Sequence, residues 1–152
     1  MTTIRAARSE DIAPVQLLFR EYAEWVGNDI CFQTFERELA DLPGRYDPPD
    51  GRLLIALADD RLAGCAALRK LGPGLCEMKR LYVRPAFRGT GFGRSLVEQI
   101  MAEARSAGYR FLRLDTLPHM ERAIGMYRAL GFHEIPPYGN NPASAICFET
   151  AL

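Results

Sequence analysis

Apolar side chains recur every three to four residues in the first quarter of the chain, which is the spacing of one face of a helix. They run from Ile12 to Val26, and Gly27 marks the expected end of this first helix. A similar pattern predicts a second helix from about Phe32 to Leu42. A short strand over residues 3–7 is expected to precede the first helix.

The middle of the chain changes to the pattern of short strands. Leu53 to Ala58 is a compact apolar run, and strand character resumes from Leu62 to Leu71 after the turn signal Asp59-Asp60. Gly72-Pro73-Gly74 then turns the chain into a third segment, Cys76 to Val83. Short apolar runs separated by tight turns are typical of consecutive antiparallel strands.

Helices and strands alternate in the last third of the chain. The pattern predicts a helix carried by Leu96 to Ala104, a strand over residues 109–115, and a helix with Pro118 in its first turn. Two strands follow, over residues 132–135 and 143–148. Only the strand-helix-strand step requires a parallel, right-handed crossover. We therefore expect one mixed α/β domain over residues 1–152, with a mostly antiparallel sheet of about seven strands, one parallel pair and four flanking helices.

The composition excludes several classes of function. Of the 152 residues 48% are hydrophobic, and 19 basic residues balance 19 acidic ones, so the chain lacks the positive field of a nucleic-acid-binding protein. No apolar run reaches the roughly 18 residues that cross a bilayer. The expectation is a cytoplasmic protein that binds neither nucleic acid nor membranes.

The cysteines and histidines do not indicate a metal or redox site. Cys31, Cys65, Cys76 and Cys147 are widely spaced and form no CxxC pair. The last three lie in apolar stretches, where a cysteine is more often a small buried hydrophobe than a nucleophile. The two histidines, His119 and His133, are expected to be solvated or structural, and no metal site is predicted.

One loop between a predicted strand and a predicted helix carries three glycines at alternate positions. Its sequence is Arg88-Gly89-Thr90-Gly91-Phe92-Gly93-Arg94. Glycines let a backbone approach a ligand closely, and the free N–H groups of a helix start favour an anion such as phosphate or pyrophosphate. The alternative reading of these glycines is a tight turn that only caps the helix.

Two better-known phosphate loops do not fit this spacing. A GxxxxGK[ST] loop ending at Ser95 would need Gly at position 88 and Lys at position 94, and both positions are Arg. A GxGxxG dinucleotide loop starting at Gly89 would need Gly at position 94. These mismatches argue against ATP and NAD as ligands.

The loop resembles the signature Arg/Gln-x-x-Gly-x-Gly/Ala of the GNAT superfamily of acyl-CoA-dependent N-acyltransferases. Arg88, Gly91 and Gly93 match that signature. The resemblance continues upstream through residues 78–85 and downstream through residues 123–132. It implies that acetyl-CoA is the co-substrate and that the parallel strand pair lies at the CoA site.

The resemblance also implies which residues hold the cofactor. The loop amides would grip the pyrophosphate, and the strand before the loop would bind the pantetheine arm through its backbone. Family members often carry an Asn where this chain has Met120, which removes one expected side-chain contact. The implied cofactor-binding residues are Leu81, Tyr82, Val83, Arg88, Gly89, Thr90, Gly91, Phe92, Gly93, Arg94, Met120 and Ala123.

The implied chemistry is transfer of an acetyl group to a primary amine by direct attack in a ternary complex. Tyr127 stands where the family commonly places its general acid, with Tyr82 and Tyr138 as alternatives to it. Glu77 is an acidic residue inside a strand-like segment, on the same strand parity as Lys79, Leu81 and Val83. Some family members use a Glu at about this place as general base, whereas an ion pair with Lys79 is an equally plausible reading.

The acceptor is the least determined part of the prediction. Tyr22, Trp25 and Asn141 are candidates for lining its cleft, and the amine could belong to a small molecule or a peptide. A non-catalytic CoA-binding regulatory module and a nucleotide-binding domain of another kind remain as alternatives. Exposed strand edges near the C-terminus leave open a homodimer.

Overall fold

The computed structural model describes residues 1–27, 32–139, 141 and 143–152, with only the backbone for residues 32 and 33. Cys31 lies outside the described residues. Among the described residues there are four α-helices and seven strands. The helices are α1 (Ile12–Val26), α2 (Phe32–Asp41), α3 (Phe92–Ser106) and α4 (Glu121–Ala129). The strands are β1 (Thr2–Ala6), β2 (Arg52–Ala58), β3 (Arg61–Gly72), β4 (Leu75–Val83), β5 (Phe111–Thr116), β6 (His133–Ile135) and β7 (Ile146–Ala151).

The seven strands form one sheet in the order β1-β2-β3-β4-β5-β7-β6. Only β4 and β5 pair in parallel, because α3 carries the chain from one to the other. The remaining neighbours are antiparallel. This architecture confirms the predicted fold class.

Each face of the sheet is covered by helices, so the domain has two hydrophobic cores. Alternate strand residues point to opposite faces, which supplies apolar side chains to both. One core packs the sheet against α3 and α4, with Leu96, Ile100, Leu112, Leu114 and Phe148 among its members. The other packs it against α1 and α2, with Val15, Leu18, Phe19, Phe35 and Leu39 among its members. We call the second side the α1/α2 face.

A bulge in β4 changes which of its residues face each core. Ala67 pairs with Lys79 but Cys65 with Tyr82, so β4 has one residue more than β3 here, and Arg80 has a left-handed φ of 60°. After the bulge, Leu81 packs into the α3/α4 core and Tyr82 into the α1/α2 core. The predicted shared parity of Glu77 with Leu81 and Val83 is therefore wrong, because the extra residue reverses the alternation.

Two predicted boundaries also differ from the structure. Pro118 lies in a turn before α4, which begins only at Glu121. The last strand begins at Ile146 rather than at position 143, because pairing with β5 sets its register. Between α2 and β2 lies a 3-10 turn, Gly44–Tyr46, whose Tyr46 is buried in the α1/α2 core.

Candidate active site

The parallel pair β4 and β5 separates partway along its length. The last paired residues are Glu77 and Arg113, and no further pairs join the two strands among the described residues. Beyond that point the backbone N–H and C=O groups on this side of β4 have no neighbouring strand. A cleft of about 1190 Å³ opens there, bounded by α1, the start of α3 and α4.

The cleft brings together almost all of the residues singled out from the sequence. The predicted cofactor residues that line it are Leu81, Tyr82, Val83, Arg88, Gly89, Gly91, Phe92, Gly93, Arg94, Met120 and Ala123. Both predicted catalytic residues, Tyr127 and Glu77, line it as well. Thr90 is the exception, because its hydroxyl is turned to the loop backbone and donates to the Phe87 carbonyl at 2.5 Å.

The glycine loop presents bare backbone at the start of α3. Gly91 is the N-cap with φ 89° and Gly89 has φ 80°, conformations that side chains other than Asn and Asp rarely adopt. A Cβ at either glycine would meet nothing within 4 Å. No described backbone carbonyl accepts a hydrogen bond from the N–H groups of residues 89–94. These donors are free for an anion, at the end of the helix that carries partial positive charge.

Arg88 connects the loop to α1. Its Nε donates to the carbonyl of Val83 at 2.9 Å. Its guanidinium lies over the rings of Trp25, 4.8 Å from the centroid, and Tyr82, at 5.7 Å. Since cation–π contacts of this kind are favourable, they hold Arg88 against the cleft wall rather than against the loop amides.

Tyr127 lies on α4 at the floor of the cleft. It is only 5% exposed, and its ring packs against Phe132 and Phe148. Its hydroxyl has no hydrogen-bond partner among the described residues. Burial raises the pKa of the Tyr127 phenol above its usual value of 10.0, so the hydroxyl stays protonated and can act as a donor.

Glu77 is a buried carboxylate on the α1/α2 face, with 1% of its surface exposed. Arg69 on β3 donates from Nε to Oε1 at 2.8 Å, and its Nη2 lies 2.8 Å from the same oxygen. The hydroxyl of Tyr138 donates to Oε2 at 2.5 Å. The predicted alternative, an ion pair of Glu77 with Lys79, is not what the structure shows, because Lys79 pairs with Asp115 at 3.8 Å.

A row of alternating charges crosses the sheet through Glu77. Arg69 pairs in register with Glu77, Glu77 with Arg113, and Arg113 with Glu149. The guanidinium of Arg113 also lies 4.9 Å from the ring centroid of Tyr138. Because each carboxylate lies beside an arginine, the row holds a charged group inside the protein at a low electrostatic cost.

The three predicted acceptor residues all line the cleft, at different places. Tyr22 and Trp25 of α1 form an aromatic cluster with Tyr82, with centroids 5.8 to 6.5 Å apart. Asn141 lies on the opposite wall. Its Nδ2 donates to Asp115 at 3.0 Å, and its Oδ1 accepts from the backbone N–H of Tyr138 at 3.0 Å.

Sequence reasoning missed Arg69, the ion-pair partner of Glu77. The sequence did contain a signal for this pair. Residues equally far from a hairpin turn face each other on the two strands, and positions 69 and 77 are equally far from Pro73, the centre of the turn Gly72-Pro73-Gly74. It also missed Arg80, whose guanidinium is held by Glu38 of α2 at 2.8 Å. No local pattern signals that pair, since it depends on how α2 packs on the sheet.

The described cysteines agree with the prediction made for them. Cys65, Cys76 and Cys147 are free and buried, which confirms their reading as small apolar residues. In the described ranges no group of His, Cys, Asp or Glu could hold a metal ion. None of the helices described is long and apolar enough to span a membrane.

Comparison with known proteins identifies a family. The sequence model of the acetyltransferase (GNAT) family matches residues 14–132. An IAA acetyltransferase of Azospirillum brasilense is 39% identical over 150 residues, which cover 95% of each chain. An uncharacterised N-acetyltransferase of Schizosaccharomyces pombe is 38% identical over 141 residues, covering 91% of this chain and 86% of that protein.

The fold has solved counterparts. The structure of the PaiA N-acetyltransferase from Thermoplasma acidophilum in complex with coenzyme A superposes with a TM-score of 0.76. The match covers 100% of this chain and 99% of that one at 20% sequence identity. At that identity the likeness concerns the fold.

Proposed function

Because the chain belongs to the GNAT family of acetyltransferases, we propose that it transfers an acetyl group from acetyl-CoA to a primary amine. One observation carries the proposal. The N–H groups of residues 89–94 have no backbone acceptor, and they lie at the positive end of α3 beside the cleft. A pyrophosphate is the ligand that such a loop fits.

The residues present fit the pyrophosphate and the pantetheine arm of acetyl-CoA. The glycine loop would hold the pyrophosphate, and the unpaired side of β4 would bind the pantetheine amides as a neighbouring strand would. Arg94, on the first turn of α3, adds positive charge near the loop. Met120, the residue before α4, and Ala123 of α4 supply apolar surface to the cleft.

Bound acetyl-CoA supplies the acetyl thioester, whose carbon–sulfur bond breaks as the carbon–nitrogen bond to the amine forms. The acceptor enters as an ammonium ion and must lose a proton before it can attack. The new amide nitrogen loses a second proton. One of the two protons is needed by the departing thiolate, so each transfer releases one proton to solvent.

We assign removal of the first proton from the ammonium group to Glu77, and protonation of the departing thiolate to Tyr127. Glu77 is the buried carboxylate of the cleft, and it would accept the ammonium proton through a water molecule. Tyr127 keeps its proton because burial raises its pKa, so its hydroxyl can donate to the thiolate. Backbone N–H groups near Leu81 to Val83 would stabilise the developing oxyanion, and one such donor lowers a barrier by about 3 kcal/mol.

The test is isothermal titration with acetyl-CoA of the parent protein and two variants, Gly91→Asp and Gly91→Asn. Asp and Asn have the same shape and tolerate the left-handed φ of 89° at this position, so they differ only in charge. We expect micromolar binding by the parent, a small loss with Asn, and a loss of at least about tenfold more with Asp, since like charges repel across the loop.

Equal binding of acetyl-CoA by the Asp and Asn variants would show that the pyrophosphate does not bind at this loop. No binding of acetyl-CoA by the parent would overturn the proposed function. Binding without acetylation of any amine would favour the non-catalytic alternative. Melting temperatures of both variants serve as the control for folding.

A further inference from the structure

The acceptor half of the cleft is rich in charged side chains. By acceptor half we mean its lining on the α1/α2 face, away from the glycine loop. Among the described residues, two carboxylates and four cations line it: Glu77, Asp115, Arg45, Arg69, Lys79 and Arg80.

Each carboxylate of this half already has a cation. The pairs are Arg69 with Glu77 at 2.8 Å, Lys79 with Asp115 at 3.8 Å, and Arg80 with Glu38, just outside the lining, at 2.8 Å. A substrate with several ammonium groups, such as a polyamine, needs unpaired carboxylates to replace its hydration. The described lining of the acceptor half offers none.

Arg45 is the cation that remains. It makes no ion pair and no side-chain hydrogen bond with any described residue. It belongs to the 3-10 turn Gly44–Tyr46, which packs on β3 and is fixed by Tyr46, 3% exposed. An exposed guanidinium on an anchored turn is therefore directed to the same cleft that Glu77 lines.

Arg69 on β3 is a second arginine of the acceptor half with a hydrogen-bond donor left over. Arg69 uses Nε and Nη2 for Oε1 of Glu77, and its Nη1 donates to no described residue. The planar fork of a guanidinium matches a carboxylate better than any other charged side chain does. Over the described lining of this half of the cleft, positive charges therefore outnumber negative ones, and a negatively charged group on the substrate would balance them.

We infer that the acceptor amine also carries a carboxylate, as a free amino acid does, and that Arg45 selects for it. The inference rests on the proposed acetyl transfer to an amine. The carboxylate lies against Arg45, and the ammonium group faces the side of the cleft that Glu77 lines. Tyr22 and Trp25 supply apolar surface for the side chain of the amino acid.

The experiment compares each acceptor with the amine formed by removing its carboxyl group. Phenylalanine is paired with 2-phenylethylamine and methionine with 3-(methylthio)propylamine, the other common amino acids are assayed alongside, and spermidine represents polyamines. Steady-state kcat and KM are measured for the parent, for Arg45→Gln, and for Arg37→Gln. Arg37 is an exposed arginine of α2 that has no described partner and does not line the cleft, so it is the matched control.

For the parent we expect kcat/KM at least tenfold higher for an amino acid than for its decarboxylated amine. Arg45→Gln should remove that preference by raising KM for the amino acid about tenfold, with kcat and the Kd of acetyl-CoA unchanged. Arg37→Gln should behave as the parent does.

Three outcomes would overturn the inference and leave the proposed function standing. They are equal or better use of the decarboxylated amines or spermidine by the parent, equal losses for both members of a pair in Arg45→Gln, and turnover of other amines but of no amino acid. Failure of the parent to bind acetyl-CoA would instead contradict the proposed function itself.

Discussion

The hydroxyl oxygen of Tyr138 lies 2.5 Å from Oε2 of Glu77, so the loop after β6 reaches back to a strand in the middle of the chain. Arg69 holds the other carboxylate oxygen. Burial and the charge of Glu77 raise the pKa of Tyr138, which therefore remains the donor in this bond. Glu77 is thus fixed in one orientation before any substrate binds.

The assignment of Glu77 as general base predicts that Glu77→Gln lowers kcat by about 10²-fold, a typical contribution of acid–base catalysis. The amide keeps the size of the side chain, its oxygen can still accept from Arg69 and its NH2 can donate to the Tyr138 hydroxyl, but it cannot take up a proton. The measurement is the steady-state rate with a saturating amine. The Kd of acetyl-CoA should stay close to that of the parent, whereas the melting temperature should fall because Arg69 loses its carboxylate partner.

Unchanged kcat in a folded Glu77→Gln variant would show that the carboxylate is structural. Its role would then be to complete the row of charges with Arg69 and Arg113.

The hydrogen bond from Tyr138 to Glu77 predicts that Tyr138→Phe lowers kcat less than Glu77→Gln does. Tyr138→Phe removes one hydrogen bond to a charged group and leaves Arg69 in place, so we expect a loss in kcat of about tenfold or less. The same assay compares the two variants directly. A loss as large as that of Glu77→Gln would mean that Tyr138 itself carries the proton.

Tyr127 as the proton donor predicts a specific pH profile. Because burial raises its pKa, Tyr127 stays protonated throughout the assay range, and no fall in kcat due to this group is expected up to about pH 10. Tyr127→Phe should lower kcat by about 10²-fold with the Kd of acetyl-CoA nearly unchanged. A parent rate that falls between pH 8 and 9, with the fall absent in Tyr127→Phe, would contradict this view.

The glycine loop could be predicted from the sequence because its geometry is local. Gly89 and Gly91 adopt left-handed conformations that few other residues tolerate, and they directly precede an amphipathic helix. The predicted strands and helices were likewise found, since each has its own period of apolar residues. The candidate cofactor loop could therefore be predicted from one stretch of the chain.

The features that were missed depend on contacts between distant segments. The bulge at Arg80 reversed the alternation of β4 side chains between the two faces of the sheet. No feature of the β4 sequence itself predicts this bulge. Arg80, the residue with the left-handed backbone, is also paired with Glu38 of α2, which lies 42 positions away in the chain. The start of the last strand was misplaced for the same reason, because β5 sets its register.

Loss of the Arg80–Glu38 ion pair is expected to lower the free energy of unfolding more than loss of an exposed ion pair does. The side chains are 11% and 21% exposed, and Arg80 also lies over the rings of Tyr22 and Phe35. Arg80→Met leaves Glu38 without its cation and should lower the free energy of unfolding by about 2–4 kcal/mol in urea titrations. Arg20→Met, which breaks the exposed pair with Glu36, is the control.

The control should leave the urea midpoint nearly unchanged, because exposed pairs contribute little. Equal effects of Arg80→Met and Arg20→Met would show that the Arg80 pair does not anchor α2 to β4.

The buried thiols predict unusual resistance to thiol reagents. Burial raises the pKa of Cys65 and of Cys76 to about 12, against about 8.5 for a free cysteine. At pH 8 the thiolate fraction of each is therefore lower by about 10³-fold, and only the thiolate reacts. Labelling with a disulfide reagent should be correspondingly slow in a double variant, Cys31→Ser with Cys147→Ser, in which Cys65 and Cys76 are the remaining thiols. Between pH 8 and 10 the rate should rise about tenfold per pH unit, whereas free cysteine levels off above its own pKa. Fast labelling of the native variant at pH 8, at the rate seen in denaturant, would contradict the burial of these thiols.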